Sequence, residues 1–453
     1  MRTFFVLRFT VNLKFKKPIK LRTLLIRKIE NPELFKKQLL QWSQQFREIV
    51  FLDSNSQNAP YSSYDCLLAV DAFTATQTDY LNAFEDLNIY QKTTKDWLFG
   101  YLSYDLKNDT EKLISRNKDA LCCPDLFFFQ PKKVFLLKEN QLELHYLNMC
   151  DDELESDYQE IIHFELEKNK IANEILIQQE ISKSDYLEKV SKMLEYIQKG
   201  IIYEANFCME FFAQKTTINP LTTFESLNEI SQAPFATFFK NNKHFALSAS
   251  PERYLKKEGE KCISQPIKGT SKRFSNVSED ELSKINLAND PKERAENIMI
   301  VDLVRNDLSK TAQKESVVVE ELCEIYSFLQ VHQMISTVTS LVKPEFSAVD
   351  VLKTTFPMGS MTGAPKISAM KCIEELEETK RGLYSGAIGY FTPENDFDFN
   401  VVIRSILYNE AEKYVSFSVG SAITSKSDPL KEYEECLLKA RAMRLVLNDK
   451  ELM

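Results

Sequence analysis

Glycine is scarce: ten residues in 453, about a third of the roughly 7% share usual in globular proteins. Seven of the ten fall between Gly269 and Gly420, which marks that region as the place where backbone must come closer than a side chain allows. Histidine is scarcer still, at His145, His163, His244 and His332, and this excludes a multi-histidine metal centre. The nine cysteines contain no CxxC pair, and Cys122 and Cys123 are adjacent. An odd count at irregular spacing predicts reduced thiols and a cytoplasmic protein rather than disulfides or zinc. No stretch approaches the roughly 18 apolar residues of a membrane span. Basic excess is also missing: the net charge is −9, which argues against nucleic acid as a partner, because phosphate binding needs a basic face.

What is present is an ordinary globular composition, 43% hydrophobic and 27% charged. The length calls for two or three domains or one large intertwined α/β unit. Residues 1–22 are basic with no acid, and read as a disordered arm or an over-called start rather than a signal. Residues 23–150 alternate strand-like segments, WLFGYLSYDL among them, with helical pieces such as 32–46. Residues 151–183 are charge-rich and read as a helical connector. Residues 184–453 form the catalytic unit, opened by an amphipathic helix with Tyr186, Leu187, Val190, Met193, Leu194 and Ile197 on one face.

Four stretches of the second half carry chemistry. Around Ser248–Lys272, Glu252 and Lys268 sit on two short β-type segments. Lys268 reads either as a solvated strand-end lysine or as an amine that a dry pocket turns into a nucleophile. Two helices then share one design. Each opens with Asp-Pro, at Asp290-Pro291 and Asp428-Pro429, and each carries a Glu-x-x-Glu pair, Glu293/Glu296 and Glu432/Glu435. Each pair shares a helix face. The four carboxylates are either surface charge, with Glu435 paired to Lys439, or a seat for a hard cation such as Mg²⁺.

Between the helices, Phe356–Lys366 brings two glycines and a hydroxyl-rich turn to a helix with Pro365 near its first position, a natural anion seat. Arg404 then follows a run of apolar residues in the second strand of an expected hairpin, residues 384–391 with 399–404. It needs an anionic partner, either a protein acid or a ligand.

Read as a set, SPERYL, PIKGT, AENIMIVDLVRNDL, FPMGSMTGAPK, RGLYSGAIGY, DFNVVIRS and SDPLKEYEECLLKA resemble the chorismate-utilising enzymes. The likeness is strongest to the aminodeoxychorismate synthase component I branch, and it runs in unbroken order from about Ser184 to Leu447. The resemblance implies an α+β fold of antiparallel sheets stacked in a sandwich, with helices on the outer faces and the active site in the cleft between sheets. It implies Mg²⁺ held by Glu296 and Glu435, with Glu293 and Glu432 just outside them. Tyr384, Arg404 and Lys439 would hold substrate carboxylates together with the backbone at Gly420. Ser360 would contact the substrate, and Glu252 would protonate the departing ring hydroxyl. Lys268, in PIKGT, matches the lysine thought to attack ring carbon C2 in the aminating branch, where related anthranilate and isochorismate synthases usually have alanine.

Three positions depart from the family pattern. Gln333, expected among the substrate-binding groups, stands where a histidine is common, with His332 one place earlier. Glu204 replaces the glutamine of aminating members, and Ala422 replaces a glycine two residues after Gly420. The implied activity is amination of chorismate by ammonia. A separate glutamine amidotransferase subunit would supply the ammonia, since the sequence shows no glutaminase-like cysteine motif. Anthranilate synthase component I is the alternative within the family, and a silent partner-binding scaffold the alternative outside it.

Overall fold

A computed structural model describes residues 20–57, 61–111, 113–167, 174–328 and 331–448. The expected basic arm falls outside these as far as residue 19, and its last residue opens the strand Arg22–Lys28. All pairings between strands are antiparallel, and they resolve into two sheets joined by one long strand, Leu126–Lys138. In the first sheet the order runs Arg22–Lys28, Gln141–Leu147, Leu126–Lys138, Cys66–Thr78, Glu48–Asp53, Phe235–Asn241, His244–Ser250, Ser405–Asn409, Tyr414–Thr424 and Glu204–Ala213. In the second, Leu98–Leu102 leaves the shared strand and is followed by Ala387–Phe391, Phe397–Asn400, Arg253–Glu258, Lys261–Gln265 and Val331–Leu341. Residues from before and after position 150 are therefore neighbours in both sheets.

Why the chain builds two faces is clearest in Glu204–Ala213, where all ten residues are buried. With period two, Ala205, Phe207, Met209, Phe211 and Ala213 join one core, against the helices Lys183–Gln198 and Pro429–Val446. The alternate residues, including Glu204, Asn206, Cys208 and Glu210, point to the other side, so three polar groups are carried into the interior. Facing side chains close the space between the sheets: Tyr101 of the second packs edge-on against Phe239 of the first, ring centres 5.2 Å apart. The helices Pro291–Ser309 and Ala348–Thr355 cover the second sheet. The expected sandwich with outer helices is the observed architecture. The nine cysteines are all free, and among the described residues no helix is long and apolar enough to cross a membrane.

Local signals settle much of this. Asp290 caps its helix by accepting from the Lys292 and Glu293 amides at 2.8 and 3.1 Å, and Asp428 does the same for Leu430 and Lys431. Such caps are worth about 1 kcal/mol each. Tyr186, Val190 and Met193 are the buried stripe of the expected amphipathic helix. The charged connector contributes a helix, Leu154–Ile162, whose Leu154 and Ile161 are core residues, as are Ile175, Ile177 and Ile181 beyond it.

Phe128 lies on the shared strand with no exposure, against Phe391 and Phe399. Phe128→Ala should cost about 3–5 kcal/mol of unfolding free energy, read from the denaturant midpoint. A loss under about 1 kcal/mol would show that the junction is not tightly packed.

Candidate active site

Lys268 lies in the strand Ile267–Lys272, whose register against Val331–Leu341 slips between Ile267 and Thr270. The slip puts Lys268 and Gly269 in a bulge, which re-aims the lysine side chain. Gly269 has φ +92°, and a Cβ there would lie 3.2 Å from Glu293. Only glycine lets the helix Pro291–Ser309 come this close behind Lys268.

The Lys268 ammonium donates to Glu204 Oε1 at 3.0 Å. Glu204 is 1% exposed, and its Oε2 has no partner among the described residues. Desolvation pulls the Lys268 pKa down, yet Glu204, Glu296 and Glu252 together outweigh it and hold the value above that of an ordinary lysine. With nothing bound, Lys268 is therefore a part-buried cation. The neutral amine expected from the resemblance has to be made by moving a proton, and Glu204 is the nearest acceptor.

Glu252 follows the strand His244–Ser250 and leads into Arg253–Glu258, at the point where the chain leaves the first sheet for the second. Its carboxylate is buried, and desolvation pushes it up to about 7 against hydrogen bonds from Ser360 and the Ile267 amide and the charge of Lys268. At neutral pH it is part protonated, as a general acid must be. Ser360 belongs to the short 3-10 turn Gly359–Met361. The turn does not run straight into a helix as the sequence suggests: Gly363-Ala364 first pairs with Ala205 and Glu204, and Pro365 is the cap of Lys366–Leu376 rather than its first residue. The hydroxyl turn is thus fastened to the strand that carries Glu204.

The two Glu-x-x-Glu helices bring their carboxylates around one ammonium, that of Lys292, 3.8 Å from Glu296 and 4.0 Å from Glu432. Glu293 and Glu435 also act on Lys292 and, with the other two, hold its pKa up against burial. Glu296 and Glu432 are buried, and Glu296 Oε1 has no hydrogen-bond partner among the described residues. Desolvation raises Glu296 to about 7. Glu435 is held below its ordinary value, because Lys439 at 2.6 Å outweighs desolvation. Among the described residues no three Asp, Glu, His or Cys side chains converge enough to hold a metal by themselves. A cation here would take one or two carboxylates and complete its sphere with other oxygens, as Mg²⁺ does. The Glu296 oxygen that lacks a hydrogen bond and the Lys292 stand-in charge fit that group.

Arg404 departs from expectation in its backbone. It is not in a strand: the second strand of the hairpin is Phe397–Asn400, and Arg404 lies in the crossing from there to Ser405–Asn409 of the first sheet, with φ +53°. Its guanidinium makes no ion pair among the described residues, and burial draws its pKa below the usual arginine value, against weaker pulls from Tyr384 and Glu435. The internal ion pair that the sequence left open is therefore not what it is for. Tyr384 is buried beside it, its hydroxyl accepting from Cys208 at 3.8 Å. Lys439 donates to the Gly420 carbonyl at 2.8 Å.

Gln333 is buried with Oε1 unpaired, and no described contact ties it to these groups. His332 does not stand in for a missing histidine. One position along a strand means the opposite face, and its ring bonds Ser327 and Asp280 instead.

Sequence reading missed Lys292, which looks like any exposed first-turn lysine, and Asn297, which donates to the Met334 carbonyl at 3.2 Å and reaches the Lys268 carbonyl at 3.5 Å. An asparagine directly after Glu296, on the buried face of the helix, was the available signal.

Residues 42–445 match the family model described as chorismate binding enzyme. The chain is 35% identical to the chloroplastic aminodeoxychorismate synthase of Arabidopsis thaliana over 76% of its own length, but spans only 39% of that relative. It is 31% identical to anthranilate synthase component 1 of Thermus thermophilus, over 76% of each chain. Among solved structures, anthranilate synthase component I from Streptococcus pneumoniae superposes with a TM-score of 0.75 at 23% identity, covering 86% of this chain and 94% of that one; this shows the fold. Glu252, Lys268, Ser360 and Arg404 thus converge within a match that runs almost end to end, and the chain belongs to the chorismate-utilising enzymes.

Proposed function

We propose that the protein is an aminodeoxychorismate synthase component I, which joins ammonia to C4 of chorismate to give 4-amino-4-deoxychorismate on the way to 4-aminobenzoate and folate. Relatives with this name and relatives named anthranilate synthase stand at similar identity, so overall likeness does not choose between them. The observation that carries the reading is Lys268: an amine whose side chain is 11% exposed, 3.0 Å from Glu204 and within the electrostatic reach of Glu252. Making anthranilate has no evident use for a nucleophile there.

In this reading the substrate carboxylates lie against Arg404, Tyr384 and Lys439. Mg²⁺, held by Glu296 and Glu435 with Glu293 and Glu432 behind them, would neutralise carboxylate charge and orient the ring. Lys268 passes its proton to Glu204 Oε1 and attacks C2. The ring double bonds shift, and the C4 hydroxyl leaves with the Glu252 proton as water. Ammonia then adds at C4, the double bonds return, and the lysine is expelled. The new ammonium gives up one proton, which restores Glu252, and Glu204 returns its proton to the expelled Lys268. Ammonia would come from a glutamine amidotransferase partner.

Incubated with chorismate, Mg²⁺ and ammonium, the protein should yield a product that becomes 4-aminobenzoate only when an aminodeoxychorismate lyase is added. Direct formation of anthranilate would overturn the reading. Glu252→Gln should lower kcat by roughly 10²–10⁴, as loss of a general acid does.

The pH profile follows from proton counting. The Lys268–Glu204 pair holds one proton before and after internal transfer, so it adds no pH dependence. Glu252 must be protonated, so kcat/KM for chorismate at saturating ammonia, which reports the free protein's groups, should fall as pH rises through about 7. Glu204→Gln cannot keep the lysine's proton, which then leaves to solvent. Reaction would need Lys268 deprotonated and Glu252 protonated, and that fraction is constant between their two pKa values. The alkaline fall should flatten in this variant, and an unchanged profile would exclude Glu204 as the acceptor.

A further inference from the structure

Arg381 is buried and spends its whole guanidinium on protein groups. Nε and Nη2 donate to the two Glu377 oxygens at 2.9 and 2.7 Å. Nη2 also donates to the Asn206 carbonyl at 2.7 Å, and Nη1 to the Met361 carbonyl at 2.6 Å and the Ser385 hydroxyl at 3.4 Å. The guanidinium carbon lies 4.5 Å over the ring of Tyr104. A buried ion pair of this sort can be purely structural, and an apolar replacement is often no less stable. The identity of the partners argues otherwise. Met361 follows Ser360, Asn206 is two residues from Glu204, and Ser385 follows Tyr384.

The joint that Arg381 closes is tight and is tied by backbone as well. The Asn206 amide donates to the Thr362 carbonyl at 2.8 Å, and its side chain to the Ser360 carbonyl at 3.1 Å. Gly363 lies flush on the strand: a Cβ there would come 2.2 Å from the Glu204 carbonyl. Glu377, besides holding Arg381, accepts the Cys208 amide at 2.9 Å. Tyr104 comes from WLFGYLSYDL in the first third of the chain, whose backbone also docks there: the Tyr104 amide donates to the Gly382 carbonyl at 2.7 Å, and Asp105 accepts the Gly382 amide at 3.0 Å. A lysine in this place has one compact ammonium and cannot span carbonyls on two elements while pairing bidentately with Glu377.

We propose that Arg381 is a positioning residue that fixes Ser360, Glu204 and Tyr384 relative to one another through the Met361 and Asn206 carbonyls and the Ser385 hydroxyl, braced by Tyr104 from the N-terminal third of the chain. The proposal rests on the reading of this site as the place where chorismate reacts, and not on which product forms.

The test measures chorismate consumption by Arg381→Lys, in the otherwise unchanged protein and in a Ser360→Ala background. A small displacement of reacting groups costs rate steeply, so kcat should fall about tenfold or more, with KM for chorismate changing less than about threefold. In the Ser360→Ala background the same change should cost measurably less than in the unaltered protein, with the remainder carried by Glu204 and Tyr384, because coupled residues are not additive. Tyr104→Leu, which leaves every Arg381 hydrogen bond in place, should show the same pattern more weakly. No fall in kcat, or an equal fall in both backgrounds, overturns the proposal.

Hydrogen exchange of Arg381→Lys gives a reading that needs no turnover. Faster exchange confined to residues 359–363 and 204–208, with Leu126–Lys138 unchanged, supports the clamp. Unchanged exchange, or a rise throughout the protein, sinks it. If the unaltered protein consumes no chorismate, the functional reading falls, and the exchange result alone decides Arg381.

Discussion

A strand pairs with neighbours on two sides of one sheet, so a chain that passes from one sheet to another must give up its ladder partners at the crossing. The whole site depends on that constraint. Residues 250–253 leave the first sheet for the second, and residues 400–405 return. The two crossings lie side by side and satisfy each other's backbone: the Val401 amide donates to the Glu252 carbonyl, and the Ala249 amide to the Arg404 carbonyl. Glu252, buried, projects from one crossing and Arg404, half-buried, from the other, and neither is committed to an ion pair in the core. Backbone groups are satisfied locally, so side-chain charge is left for a ligand.

The remaining charges in the cleft follow from the same geometry. Glu204, Asn206 and Glu210 face inward because their strand alternates, and they could not be turned out without exposing Ala205, Phe207 and Met209. Burying carboxylates on a strand demands counter-charge, and Lys268 supplies it across the gap. Burial alone lowers a lysine and raises a glutamate. The measure of the cleft is that Glu252 and Glu296 both rise to about 7 while Lys268 stays cationic. The site stores protons between groups of unlike affinity, which a reaction that must first take a proton from an amine and then give one to a hydroxyl requires.

Much of this was legible in the chain. Asp-Pro caps and paired glutamates three apart are local patterns, and each folded into the helix its pattern implied; the turn rich in glycine and hydroxyls formed, but a strand pairing separates it from the helix. Lys268 and Glu252 could be singled out because PIKGT and SPERYL are specific strings. Contacts made across the chain were harder to read. Glu204 meets Lys268 over 64 residues, and nothing near Glu204 says so. Arg404 sits among apolar residues like a strand residue, but the chain changes sheets there and adopts a left-handed turn. His332 seemed a neighbouring substitute for a histidine at position 333, until alternation sent it to Asp280 on the other face. Lys292 was invisible because its role exists only when a second helix, more than a hundred residues on, brings Glu432 and Glu435 to it.

Lys292 has a thermodynamic consequence. Four carboxylates gathered with no cation among them would repel one another and oppose the packing of their two helices. An ammonium already at their centre relieves that repulsion within the chain itself. Assembly of the cleft is thereby uncoupled from the supply of divalent ions, unlike small metal-nucleated domains whose binding energy is their folding energy. A cation entering there would have to displace one ammonium rather than order two helices.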